Sequence, residues 1–98
     1  MSRVALITLK GRNEDKVKFV ADHFRKEVGK LSSDFKDLVI SGPAPAPLLK
    51  AESFYRYQIM MRLSKMSALS RKLAGIQAAY ELPADITLTV DIDPVDLS

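Results

Sequence analysis

The chain moves back and forth between two hydrophobic periods, and the order of those changes limits the folds open to it. Arg3 to Lys10 (RVALITLK) alternates with a period of two, so Ala5, Ile7 and Leu9 take one face and Val4, Leu6 and Thr8 the other. Gly11 breaks the run. From about residue 14 to 31 the period is helical, with Val17, Val20, Ala21, Phe24, Val28 and Leu31 on one stripe. Asn13 is placed to cap this helix, and Glu14 and Asp15 put negative charge in its first turn, where the helix dipole favours it. Lys36 to Ser41 (KDLVIS) reads as a second strand. The run Gly42 to Pro47 (GPAPAP) is expected to end it, because prolines at alternate positions cannot donate to a ladder.

Phe54 to Leu63 (FYRYQIMMRL) is a long third strand. Tyr55, Tyr57, Ile59, Met61 and Leu63 point one way; Phe54, Arg56, Gln58, Met60 and Arg62 point the other. Ser64 stands where a second helix needs a cap. Met66, Leu69, Leu73, Ile76 and Tyr80 form that helix's stripe, and Pro83 follows its end. Ile86, Leu88, Val90 and Ile92 alternate with Thr87, Thr89, Asp91 and Asp93 in a fourth strand, which Asp93-Pro94 stops.

The order is β-α-β-β-α-β, with each β-α-β half expected to cross over right-handed. Two such halves give an α+β, ferredoxin-like split sandwich: a four-stranded antiparallel sheet with two helices on one face. The second face is left bare and is the cheapest place for a binding function.

Ninety-eight residues allow one domain, read as spanning 1–98. A 47% hydrophobic content is too apolar for a disordered tail. The absence of cysteine excludes a disulfide scaffold, a thiolate zinc site and thiol nucleophiles. No apolar run approaches the roughly 20 residues of a membrane helix, and no signal peptide opens the chain. A soluble, cytoplasmic protein with no membrane partner is the expectation. The formal charge is +3, but residues 1 to 83 hold all 15 bases against eight acids, or +7. Such a basic body permits contact with a polyanion.

Little points to catalysis. His23 is the only histidine, with no partners at triad or metal spacing, and reads as a partly exposed helix residue. There is no P-loop pattern. Gly11-Arg12 faintly resembles an acylphosphatase-type phosphate loop but lacks a glycine-rich run. Asp91 and Asp93 share a strand face and have the chemistry to bind Mg²⁺, yet a solvated strand end is the simpler reading. No catalytic residue, metal site or cofactor is assigned.

The third strand is more informative. Arg56, Gln58 and Arg62 line the expected bare face, the two arginines about 20 Å apart, and suit phosphates or an acidic peptide. The RNA-recognition aromatics are missing, and Tyr55 and Tyr57 are expected in the core. Phe19 lies opposite its helix stripe, and helix 2 turns Ala74, Gly75 and Ala78 outward, a small-residue surface suited to docking another domain.

Three segments, in order, resemble a known family: GPAPAP (Gly42 to Pro47), FYRYQIMMR (Phe54 to Arg62) and VDIDPVDL (Val90 to Leu97). The pattern resembles the carboxy-terminal domain of the primosomal protein N′ family of replication-restart DNA helicases, and the stretch Ala5 to Val17 is similar too. The resemblance implies a ferredoxin-like domain that packs on a helicase core, helps hold branched or single-stranded DNA, and contributes to docking the acidic tail of single-stranded DNA-binding protein. It matches Arg56, Tyr57 and Gln58 to the family's R-Y-Q, and places Lys65, Ser70, Arg71 and Lys72 in the region of its partner-binding surface. The ATP-driven core and zinc segment of that family are absent from this chain. It then reads as a piece excised from a larger helicase, without catalysis of its own, and a purely structural interaction domain is the alternative function.

Overall fold

A computed structural model describes residues 2–47 and 53–93. Pro94, Asp96 and the end of the VDIDPVDL segment lie outside the described residues. Strands β1 (Arg3–Gly11), β2 (Val39–Pro45), β3 (Tyr55–Leu63) and β4 (Thr87–Ile92) form one sheet in the order β2-β3-β1-β4. All three strand pairings are antiparallel, with β1 and β3 in the centre. Helices α1 (Glu14–Gly29) and α2 (Ser67–Ala79) complete the expected split sandwich.

One buried cluster holds the layers together. The sheet contributes Ala5, Ile7, Leu9, Ile59 and Met61, which have no solvent exposure, and the helices contribute Val17, Phe24, Leu69 and Leu73. These sheet residues all share one face by the two-residue period, so both helices lie on that face. Each fully buried side chain of this size contributes about 1.5–3 kcal/mol. Among the described residues no helix lies on the opposite face.

Asn13 caps α1 as expected, its Oδ1 accepting from the Lys16 N–H at 3.1 Å. The α-helical turn ends at Gly29, and a short 3-10 helix (Lys30–Ser33) carries Leu31 into the core.

Two expectations are corrected. The second strand begins at Val39 and runs through Gly42, Pro43 and Ala44 to Pro45 instead of stopping at Ser41. It is an edge strand, so only one side must pair. Ala46 gives its N–H inward to the Arg56 carbonyl at 2.9 Å, so the missing donor of Pro45 faces outward. A register shift between Ser41 and Ala44 absorbs Gly42-Pro43. Gly42 has φ +94°, and a Cβ there would stand 2.5 Å from the Gln58 carbonyl oxygen, so only glycine fits.

Ser64 does not cap α2. Its N–H and hydroxyl both go to the Asp37 carboxylate, with N to Oδ2 at 2.8 Å. Those bonds hold the Asp37 carboxyl below the usual carboxylate range. The helix starts three residues later, after Met66 has entered the core.

Candidate nucleic-acid interface

The pairing register sorts the bare face into cross-strand rows. Arg56 stands opposite Lys10, and Lys10 opposite Thr87. The next row is Gln58, Thr8 and Thr89, and the Gln58 Nε2 donates to Thr8 Oγ1 at 3.4 Å. Beyond it lie Met60, Leu6 and Asp91, then Val39, Arg62 and Val4. The face is therefore basic at one end, polar next, and apolar in the middle. A shallow cavity of about 190 Å³ opens there beside β2, lined by Leu6, Ser41, Ala44, Gln58 and Met60.

The basic end holds a feature that the one-strand reading missed. Phe54 precedes β3 and lies beside the end of β1. The Lys10 Nζ sits 4.5 Å from its ring centroid and the Arg12 Cζ 4.9 Å. Both fall within cation–π range. Among the described residues no carboxylate pairs with either cation. Lys10 and Arg56 also stand directly opposite each other in the β1–β3 register. The signal was in the sequence only jointly: Lys10, Arg12 and Phe54 meet once β1 and β3 are paired antiparallel with Gly11 opposite Tyr55.

The backbone between the two cations is fixed. Gly11 is buried, and a Cβ there would meet Ile86 Cδ1 at 2.7 Å and Val17 Cγ2 at 2.9 Å. Beneath, Tyr57 is buried and its hydroxyl donates to Glu14 Oε2 at 3.1 Å. Burial first, and then the Glu14 carboxylate, push the phenol above its usual range. Gly11 thus serves packing. Only Arg12 and Asn13 separate it from α1, and Asn13 is committed to the cap.

The other predicted binding residues lie elsewhere. Arg56, Gln58 and Arg62 are on the sheet, and the Arg62 guanidinium reaches Met60 Sδ at 3.8 Å. Arg71 and Lys72 are exposed on α2, in the helical layer, and Lys65 is exposed in the connection before it. Lys72 meets Asp34 Oδ2 at 3.5 Å, and Lys65 acts on the Asp37 carboxylate. The two sets do not form one surface. Of the predicted docking residues, Phe19 is 72% exposed, and Ala74, Gly75 and Ala78 are exposed on α2, with nothing within 4 Å of a Cβ built at Gly75.

Several other polar groups have structural partners. His23 Nδ1 lies 2.6 Å from the Tyr80 hydroxyl, and Tyr80 packs edge-on against Phe24 with ring centroids 5.0 Å apart. Asp93 does not continue the face of Asp91. It turns aside with φ +49°, accepts the Arg3 guanidinium at 2.6 Å, and takes the Val4 N–H at 3.1 Å. The Arg3 guanidinium, helped by that N–H, holds the Asp93 carboxyl below its usual range. Among the described residues no group of three or more His, Cys, Asp or Glu is gathered to hold a metal. No helix among them is long and apolar enough to cross a membrane.

Comparison with solved structures supports the architecture. A de novo designed protein, Foldit4, superposes with a TM-score of 0.67 over 98% of this chain and 100% of its own, at 13% identity, which speaks to the fold alone. Among curated proteins, the replication restart protein PriA of Haemophilus influenzae is 31% identical over 99 residues, covering 96% of this chain. The chain spans only 13% of that relative's length. The profile described as the primosomal protein N C-terminal domain matches residues 1–95, so all four strands and both helices fall within it. This split sandwich belongs to the primosomal protein N C-terminal domain family.

Proposed function

We propose that the domain is a noncatalytic DNA-contacting and docking module of a replication-restart helicase. The single observation that carries the reading is the basic end of the bare face, where Lys10 and Arg12 rest on an aromatic ring and Lys10 opposes Arg56. Phosphate contacts there supply affinity without reading sequence. ATP hydrolysis and zinc binding belong, in this reading, to other parts of the larger protein, and the chain needs no cofactor of its own. Contact with the acidic tail of single-stranded DNA-binding protein falls to Lys65, Arg71 and Lys72, of which Lys72 must leave Asp34 and Lys65 acts on Asp37.

The test is binding of a forked oligonucleotide at several salt concentrations. Each phosphate contact on duplex adds about −0.9 to the slope of log K against log salt. Charge reversal at Arg56 and Arg62 is expected to weaken binding and flatten that slope. Absence of binding at low salt overturns DNA contact by this domain.

A second reading is favoured by the exposure of Phe19. Here the domain is a structural piece packed on the helicase core through Phe19 or through Ala74, Gly75 and Ala78. Phe19→Glu then loosens that packing in the intact protein while fork binding by the 98-residue chain is unchanged. Equal protease resistance of the two intact proteins argues against it.

A further inference from the structure

The Phe54 ring is a half-buried aromatic on the binding side of the sheet, and its two neighbours are cations without carboxylate partners among the described residues. A cation held by a carboxylate is neutralised. One held by a ring keeps its full charge and is merely positioned by a weak contact. Lys10 and Arg12 can therefore leave the ring for a phosphate at small cost, and the face they vacate is apolar and flat.

A duplex has no use for such a face, since its bases are already stacked on each other. An unpaired nucleotide does. Stacking a base on an aromatic side chain is favourable whatever the base, and both cations that leave the ring gain an anionic partner at the adjoining phosphates. The placement of the cations supports the same ligand. Lys10 and Arg12, one residue on either side of Gly11, both sit at the ring, so a backbone passing Phe54 meets positive charge there.

We infer that Phe54 is a stacking platform for an unpaired base of single-stranded DNA, with Lys10 and Arg12 moving from its ring to the adjoining phosphates. This rests on the DNA-contact reading above and names the part of the branched substrate that the site takes. The contact is sequence-tolerant, because it uses the face of the base and none of its edges.

The experiment titrates the chain, at low salt, with a single-stranded oligonucleotide carrying 2-aminopurine, whose fluorescence falls on stacking. Four proteins are compared: wild type, Phe54→Leu, Phe54→Trp, and the double variant Lys10→Ala with Arg12→Ala. The expected result is quenching by wild type and by Phe54→Trp. Phe54→Leu loses the quenching and binds roughly 5- to 150-fold more weakly, the range that base–aromatic stacking predicts, with the salt slope unchanged. The double variant flattens the slope by about 0.7 for each lost phosphate contact on single strands. Circular dichroism checks that Phe54→Leu is folded, and the Trp variant tests the ring without removing it. If wild type binds and Phe54→Leu matches it in affinity and quenching, stacking is wrong and phosphate contact survives. If wild type binds no DNA at all, the underlying reading falls and the platform with it.

Discussion

The two ends of β1 both carry an arginine, and they hold it in opposite ways. At the start, Arg3 is fixed by Asp93, whose Oδ2 accepts from both Nε and Nη2 at 2.8 and 2.6 Å, while its Oδ1 takes the Val4 N–H. At the finish, Arg12 joins Lys10 over the Phe54 ring. The first arrangement ties β1 to the end of β4 and cancels a charge. The second orders two long side chains and cancels none. The helical layer follows the first pattern, with Lys16 on Asp85 at 2.9 Å and Lys30 on Glu27 at 2.6 Å. A cation fixed by a ring instead of an acid remains available to an anion, and that distinction separates the candidate interface from the rest of a generally basic surface.

The comparison can be broken most directly by charge. Reversal of the ring-held pair, Lys10→Glu with Arg12→Glu, is expected to weaken binding of forked DNA about tenfold or more and to flatten its salt dependence. Arg3→Gln at the acid-held end is expected to leave binding within about twofold, since its charge is already matched by Asp93. Equal losses at both ends, measured by fluorescence anisotropy, would show that net charge alone matters.

A smaller effect sharpens the structural side. Gly11→Ala places a methyl against Ile86 and Val17 and is expected to cost about 1–3 kcal/mol in urea unfolding. Because the substitution lies between Lys10 and Arg12, it is also expected to reduce DNA affinity.

The smallest effect concerns acid. The folded-state pKa of Asp93 lies below its ordinary value, as does that of Asp85, held by Lys16. Each contributes stability that is present above the ordinary carboxylate pKa of about 3.9 and is lost as pH falls through the folded value. Asp93→Asn keeps a residue that tolerates positive φ, lowers the melting temperature slightly at neutral pH, and brings no penalty relative to wild type once pH is below both values. A melting difference that persists undiminished in acid would assign the role of Asp93 to shape and not to charge. DNA binding at neutral pH is expected to be unaffected.

The strand faces were legible in the sequence because a two-residue period fixes them locally: Ala5, Ile7, Leu9, Tyr57, Ile59 and Met61 are buried as read. The cap at Asn13 was legible for the same reason. What was hidden depends on partners far along the chain. The prolines of β2 look like strand breakers until the strand is known to be an edge, and edge position is a property of the sheet order. Ser64 looks like a helix cap until Asp37, 27 residues earlier, takes both of its donors. The Phe54 cluster spans the β1–β3 pairing, so its members are invisible to any reading of one strand at a time. The arginines of β3 were found on the expected face, but Arg71 and Lys72 sit on α2, in a different layer, and Lys65 lies in the connection before that helix.

One of the two prolines on β2 has an effect at the scale of assemblies. Pro45 withholds a donor from one rim of the sheet, whereas β4 presents Thr87 to Ile92 with no proline at all. Among the described residues, β4 is the rim on which a guest strand meets no proline, and a guest at β2 meets one. Such a sheet accepts one neighbour and then stops, so this domain is suited to a finite complex and poorly suited to stringing itself into a fibre.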